Sequence, residues 1–198
     1  SDVCSSDLAS FPQYFAEQVI AEMRGVHDLD GNAPFYNALP RKFFKMPFTK
    51  ADYVNATQGN QFINDLMPKY PIYLNLLPKA ARDVVGQANA ASLPAKLMLE
   101  RQGFKYQGYI DIFDGGPTLC AEREQIDVVK NNMKRTISTV GELPEGTPKY
   151  MVMNGQFQES RCALGRVAFG EGEAISITPR LADRLQVKAG ETVRCYSI

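Results

Sequence analysis

The sequence lacks an excess of charge of either sign. Its 22 Lys and Arg residues balance 22 Asp and Glu residues, so the formal net charge is zero. Proteins that bind nucleic acid without sequence preference rely on a surplus of Lys and Arg, so this balance argues against a nucleic-acid partner. It leaves room for a small anionic ligand in a local basic pocket. The chain also lacks any apolar run near the roughly 20 residues that cross a bilayer, so we expect no membrane partner.

Cysteine and histidine are scarce. No CxxC spacing occurs among the four cysteines, which are Cys4, Cys120, Cys162 and Cys195. This scatter is a poor zinc signal and a poor disulfide framework in a chain of this length. We therefore expect reduced cysteines in a cytoplasmic protein, and no metal site. The single histidine, His27, lies in a turn-forming cluster at residues 27–32, and we interpret it as a solvated loop residue.

Length and composition indicate a globular protein with either one good-sized domain or one domain with a small appendage. The chain has 198 residues, of which 44% are hydrophobic and 22% are charged, as in ordinary globular domains. Residues 19–25 and 104–113 alternate like strands. Residues 114–117 (DGGP) are typical of a tight turn that needs a positive φ, and residues 118–122 are predicted as the return strand.

Helices and a β-rich tail complete the predicted order of elements. Pro34 suits the first turn of a helix, Thr49 is the candidate N-cap of another, and Gly103 follows a helix predicted over residues 92–101. Gly, Glu and Pro close together at residues 140–148 indicate a long loop. Beyond it, one short helix and four strand-like segments predict a small, mostly β tail, at residues 150–152, 161–169, 174–177, 179–185 and 193–196.

The first eight residues, SDVCSSDL, match no structural element. The chain does not begin with Met, and this stretch is similar to translated adapter sequence. We interpret residues 1–8 as a foreign or artefactual end, and the rest as a fragment whose true beginning is missing.

Ordered segments along the chain resemble one family. The most specific is YIDIFDGGPT at residues 109–118. In this segment the chain resembles the arginine N-succinyltransferases. The similarity extends from residue 9 to about residue 122 and continues more weakly through residues 150–193. The other segments that carry the resemblance are AEMRGV at 21–26, Asp28, residues 34–35 and 43–44, LMPKYPIY at 66–73, and residues 86–87, 99–100 and 103–104.

The resemblance implies a fold and a reaction. The fold is an α/β (α+β) GNAT-like mixed sheet flanked by helices, with residues 9–139 as its C-terminal part and residues 149–198 as a small β-rich subdomain. The reaction is transfer of succinyl from succinyl-CoA, the co-substrate, to the α-amino group of L-arginine, with no metal and no tightly bound cofactor. Some relatives also accept ornithine and work as paired α and β subunits, so we expect a homo- or hetero-oligomer.

The candidate substrate-binding residues lie on the segments that carry the resemblance. A guanidinium calls for a carboxylate, ideally in a bidentate pair. Glu22, Asp111 and Asp114 are the carboxylates on the predicted strands and turn, and we expect one of them to bind the guanidinium. Arg24 and Gln87 complete the predicted substrate-binding set.

Two departures from the family pattern bear on activity. Relatives carry His as proton donor in the pattern Gly-Gln-x-His-Pro, where this chain has Asn89 and Ala90. Asn does not titrate near neutral pH, so Asn89 at the catalytic position orients groups without shuttling a proton. Either another donor serves, or the chain is a weakened or non-catalytic subunit. The glycine-containing turn that would hold the CoA pyrophosphate is expected before the strand ending at Gly25, outside this chain, so we expect this stretch alone to be inactive.

Overall fold

The structure is a computed structural model that describes residues 7–28 and 31–197. We predicted a foreign end at residues 1–8, and residues 1–6 of it lie outside the described part of the chain. The described residues form two compact units: one runs from Ile20 to Ala121, and the other combines the residues before Ile20 with those after Ala121. We call them the helix-rich unit and the barrel unit. No helix within the described ranges has the length and apolar character needed to cross a membrane.

A three-stranded sheet runs through the helix-rich unit. Its strands lie in the order β1 (Gln18–Glu22), β3 (Pro117–Glu122) and β2 (Lys105–Ile110). β2 and β3 are antiparallel, with Lys105 opposite Cys120. This pairing confirms the predicted return strand, because the turn that joins β2 to β3 is short enough to form a hairpin.

The described part of the helix-rich unit contains six short α-helices. Pro34 is the first residue of its helix, and Gly103 follows the last helix with φ +99°, both as predicted. The prediction of Thr49 as an N-cap is wrong: the helix begins at Phe48 after Pro47, whose extended backbone takes the cap position without a side-chain hydrogen bond. The helices are α1 (Pro34–Ala38), α2 (Pro40–Phe44), α3 (Phe48–Gln58), α4 (Gln61–Leu66), α5 (Lys79–Arg82) and α6 (Leu93–Arg101).

An aromatic cluster forms one core of the helix-rich unit. Tyr36 and Phe44 are almost fully buried, and Phe113 is 7% exposed. The rings of Tyr36 and Phe113 stack with centroids 6.4 Å apart, and Phe48 meets Tyr36 edge-to-face at 5.3 Å. Aromatic pairs at these separations contribute beyond their buried area. The cluster therefore fixes α1 and α3 against the residues that follow β2.

Five strands close into the barrel of the barrel unit. Only β4 and β7 are parallel, while every other neighbouring pair is antiparallel. The short helices α7 (Asp127–Lys130) and α8 (Pro179–Leu185) also belong to this unit, and Thr178 caps α8 through its side chain. In barrel order the strands are β4 (Met133–Val140), β7 (Ala174–Ile177), β6 (Cys162–Phe169), β5 (Lys149–Asn154) and β8 (Thr192–Ser197).

The β-rich tail was predicted except for one strand. Four strand-like segments and the helix coincide with β5, β6, β7, β8 and α8, whereas β4 was not predicted. β4 carries three hydroxyl residues and two cations, and Ile137 is its one fully buried side chain. Its apolar pattern is therefore too weak to indicate a strand. The overall architecture is mixed α+β, as predicted.

Candidate functional site

The turn after β2 is built by backbone hydrogen bonds. The Asp111 N–H donates to the Gly116 carbonyl at 2.8 Å, and the Gly115 N–H donates to the Asp111 carbonyl at 3.0 Å. Gly115 has φ +73°, and a Cβ there would lie 2.9 Å from Cγ of Phe35. Glycine is therefore required at this position by both backbone conformation and space, which confirms the predicted tight turn.

Asp114 braces this turn against the segment that follows β1. Its side chain is buried, its Oδ2 accepts a hydrogen bond from the Gly25 N–H at 2.8 Å, and its Oδ1 accepts one from the Gly116 N–H at 2.9 Å. A Cβ on Gly25 would lie 2.6 Å from the Asp114 carbonyl oxygen. Both carboxylate oxygens of Asp114 are thus occupied by backbone donors, so its first role is to hold the two segments together.

Beside this brace lies a cleft of about 390 Å³ that is rich in carboxylates. Four acidic side chains and one arginine contribute to its wall, so its net charge is negative. Phe48 and Phe113 add aromatic surface. The lining residues are Glu22, Met23, Arg24, Phe48, Asp52, Asn55, Asp111, Phe113 and Asp114.

Asp111 lies partly buried in the wall of this cleft. Burial raises its pKa above the ordinary value of 3.8, the Phe113 and Asp114 N–H groups oppose this by donating to Oδ1, and the negative charges of Asp114 and Asp52 raise the pKa further. In residues 7–28 and 31–197, no donor reaches its second oxygen, Oδ2. A cation in the cleft would stabilise the charged form of Asp111.

The raised pKa predicts a pH dependence of stability. The folded state holds the Asp111 proton at pH values where the unfolded chain has lost it, so the free energy of unfolding falls as pH rises from about 4 through the raised pKa. In Asp111→Asn the amide oxygen still accepts from the Phe113 and Asp114 N–H groups, and this fall should be smaller. Urea unfolding of both proteins across that range measures the difference. Identical pH profiles of the two proteins would contradict a raised pKa of Asp111 in the folded state.

The segment that holds Gln87 and Asn89 is tied to the same backbone. The Asn89 N–H donates to the Arg24 carbonyl at 2.8 Å, and Ala88 forms an isolated antiparallel bridge with Gly25. Asn89 Oδ1 accepts a hydrogen bond from the Ala91 N–H at 3.0 Å and starts a short 3-10 helix, Ala90–Ser92.

The structure brings four of the six predicted site residues into one cleft. Glu22, Arg24, Asp111 and Asp114 line it, whereas Gln87 and Asn89 do not. Gln87 is exposed, and its side-chain amide donates to the Asp83 carbonyl of the preceding helix end.

Helix α3 supplies cleft residues that were not predicted. Phe48, Asp52 and Asn55 follow one another at spacings of four and three residues, which places them on one face of the helix. That spacing was a usable signal, but nothing local indicated that this face meets the turn after β2.

His27 is not the solvated loop residue that its turn-rich surroundings suggest. Its Nδ1 lies 3.0 Å from the Gly25 carbonyl oxygen, and its ring meets Phe48 edge-to-face at 5.2 Å. Its Nε2 is buried and has no hydrogen-bond partner among the described residues. The interpretation was wrong because packing against an aromatic ring of α3 withdraws the imidazole from solvent.

The cleft has the charge and shape to hold a small cationic ligand, such as an amine or a guanidinium compound. Carboxylates provide the acceptors, which guanidinium and ammonium groups bind, and Phe48 and Phe113 contribute aromatic lining beside them. Among the described residues, no group of three His, Cys, Asp or Glu side chains is placed to hold a metal ion.

Comparison with known proteins identifies the family. Residues 7–128 match the family model described as arginine N-succinyltransferase beta subunit, and residues 134–197 match the model of its C-terminal domain. The chain belongs to the arginine N-succinyltransferase family, which is a family of acyltransferase enzymes.

Individual relatives agree with this assignment. The chain is 40% identical over 197 residues to the arginine N-succinyltransferase of Yersinia pestis (strain Pestoides F), covering 96% of this chain and 56% of that protein. It is 40% identical over 193 residues to the enzyme of Photorhabdus laumondii, with 96% and 56% covered. It thus spans about half the length of the curated relatives it matches.

A solved structure shares the fold. This is arginine/ornithine succinyltransferase subunit AI from Pseudomonas aeruginosa, which superimposes with a TM-score of 0.82 at 31% identity, covering 100% of this chain and 56% of that one. The family resemblance expected from residues 109–118 is therefore confirmed.

Proposed function

We propose that this chain forms the arginine-binding part of an acyltransferase that moves succinyl from succinyl-CoA to the α-amino group of L-arginine. The observation that carries the proposal is the cleft in which Glu22, Asp52, Asp111 and Asp114 surround a space next to two aromatic rings. The family membership supports the reaction class. We also propose that the whole domain, of which this chain is a part, has a GNAT-like arrangement.

In this proposal Asp111 is the main partner of the guanidinium. Its Oδ1 is held by two backbone donors, so the carboxylate is oriented before the ligand binds. Its Oδ2 is left to accept an N–H of the guanidinium, in a charge-assisted hydrogen bond that is stronger than a neutral one. Asp52 and Glu22 add negative charge, and Phe48 and Phe113 pack on the apolar surface of the substrate.

Holding the guanidinium leaves the α-amino group of arginine to react. In acyl transfer the neutral amine attacks the thioester carbonyl and forms a nitrogen–carbon bond, and the carbon–sulfur bond breaks. The proton that the amine loses is taken up by the departing CoA thiolate, directly or through a proton donor. In the proposal, this part of the chain contributes to the reaction by orienting the amine. Fixing a reactant near its target lowers the entropic barrier.

Location and assembly follow the same proposal. Cys120 and Cys195 are free thiols, which is typical of proteins of the cytoplasm. L-arginine, with ornithine as a second amine, and succinyl-CoA are the proposed small-molecule partners, with no tightly bound cofactor, in a homo- or hetero-oligomer.

Arginine binding to the 198-residue chain tests the proposal. By calorimetry we expect L-arginine to bind at least about tenfold more tightly than citrulline, which replaces the guanidinium by a neutral urea group. Asp111→Asn should lose most of the affinity for arginine and keep the weak affinity for citrulline. The matched control is Asp83→Asn, an exposed carboxylate of the same unit, which should bind arginine like the parent chain. Equal affinities for arginine and citrulline would sink the proposal.

A non-catalytic subunit is the second candidate, and the state of Asn89 favours it. Its amide cannot take up or release a proton near neutral pH, and its Oδ1 already accepts a hydrogen bond from the Ala91 N–H. Such a subunit would bind arginine and require a partner that carries the proton donor.

Asn89→His distinguishes the two candidates. In the longer protein to which this stretch corresponds, the change should raise the rate of arginine-dependent CoA release by about 100-fold or more if only the proton donor is lacking. Thiol titration of released CoA measures the rate, with Gln87→His as a control two residues away. High activity of the parent protein with Asn89 in place, in the absence of any partner, would exclude the non-catalytic subunit.

A further inference from the structure

A second cleft, of about 640 Å³, lies wholly within the barrel unit between β6 and α8. Four cationic side chains line it, Lys149, Arg166, Arg180 and Arg184, and Glu142 is the one carboxylate in its wall. The chain as a whole has no net charge, so this cleft concentrates positive charge locally.

The four cations form two pairs, and the two like charges within each pair repel each other. Lys149 on β5 lies directly opposite Arg166 on β6 in the antiparallel register, and like charges in such a pair destabilise a sheet. Arg180 and Arg184 are four residues apart on α8, where like charges destabilise a helix. Among the described residues, no ion pair is formed by any of the four.

Close packing of α8 on the barrel brings the two pairs to one cleft. A Cβ on Gly165 would lie 2.6 Å from Cδ2 of Leu181, so the absence of a side chain at Gly165 lets the helix approach β6. Leu181 is buried, and Thr178 accepts its N–H to start the helix. The cations are thus placed by packed elements and not by a mobile loop.

We propose that this cleft binds a small phosphate-bearing anion with at least two negative charges, of the class of pyrophosphate or a nucleoside diphosphate. Three of the four cations are arginines, whose planar guanidinium matches phosphate oxygens two at a time. The volume lies within the range of sites for small ligands. A bound anion removes the repulsion in both pairs, which accounts for their presence on one wall. This site does not depend on the proposed succinyl transfer.

Pyrophosphate is the probe for the first test. We expect it to raise the Tm of the 198-residue chain in a saturable manner, beyond the effect of sodium chloride at the same ionic strength, and ADP to do the same. Arg166→Gln should weaken pyrophosphate binding by about tenfold or more in calorimetry. Arg161→Gln, which removes the same charge just before β6 and outside the cleft, should leave the affinity unchanged.

The unliganded variant separates lost binding from lost folding. At low salt, Arg166→Gln should be at least as stable as the parent chain, because it relieves the repulsion from Lys149. If Arg166→Gln does not fold, Lys149→Gln and the double change Arg180→Gln with Arg184→Gln replace it, with the same expected loss of affinity. The proposal is overturned if pyrophosphate does no more than sodium chloride, if Arg161→Gln loses as much affinity as Arg166→Gln, or if citrate binds more tightly than pyrophosphate.

Discussion

Replacing Gly116 by Ala is expected to lower the free energy of unfolding of the helix-rich unit by about 3 kcal/mol or more, or to prevent its folding. A Cβ at this position would lie 2.1 Å from the Met23 carbonyl oxygen and 2.6 Å from the Gly25 nitrogen. Both are backbone atoms, so no side-chain rotation relieves the clash. The turn and the segment after β1 would have to separate, which breaks the hydrogen bond that Asp114 accepts from the Gly25 N–H.

Thermal unfolding followed by far-UV circular dichroism measures this effect, since the chain has no Trp to report by fluorescence. The control is Gly141→Ala, where the nearest atom to the added Cβ is Cγ2 of Thr139 at 3.9 Å. We expect that variant to unfold like the parent chain. If Gly116→Ala is insoluble, limited proteolysis of the freshly expressed protein reports the same loss. A Gly116→Ala protein with the parent's Tm would refute the close packing described for the turn.

Asp114→Asn is the second change with a large expected effect. The carboxylate accepts hydrogen bonds from two backbone N–H groups, at Gly25 and Gly116, and its side chain is buried. An amide offers one accepting oxygen, and its NH₂ group would face the other N–H. One charge-assisted hydrogen bond is lost and one buried N–H is left without a partner, at a cost of about 3 kcal/mol.

The expected Tm decrease for Asp114→Asn is about 6 to 12 °C for a chain of this size. Asp83→Asn, at an exposed carboxylate whose ion pair with Lys79 is on the surface, serves as control and should leave the Tm unchanged, because exposed pairs contribute little. Arginine binding should be lost in proportion to unfolding. A stable Asp114→Asn protein that fails to bind arginine would instead place Asp114 in direct contact with the substrate.

The structure changes how the predicted carboxylates are understood. From the sequence, Glu22, Asp111 and Asp114 were equivalent candidates for the guanidinium. The hydrogen bonds separate them: Asp114 is used up as a brace, whereas Asp111 keeps one oxygen with no donor from the described residues. Sequence spacing cannot make this distinction, because it depends on which backbone groups lie within 3 Å.

Local signals in the sequence were enough to predict the hairpin of β2 and β3 and the C-terminal end of α6. Gly115 and Gly103 adopt the positive φ that their positions in the turn and after the helix indicate. Pro34 begins its helix because its fixed φ suits a first turn. In each case the residue's own backbone preference decides the structure, so no distant contact is needed to predict it.

Contacts between distant segments decided the rest. Asp52 joins Asp111 in the acidic cleft, and the His27 ring contacts Phe48, only because α3 packs on the aromatic cluster. Likewise β4 becomes a barrel strand because β7 and β8 pair with it, although its own residues are mostly polar. The sequence by itself determined the family, the turns and most of the strands. The tertiary structure alone decided which carboxylate is available to a ligand, since burial and hydrogen-bond occupancy arise only when these segments meet.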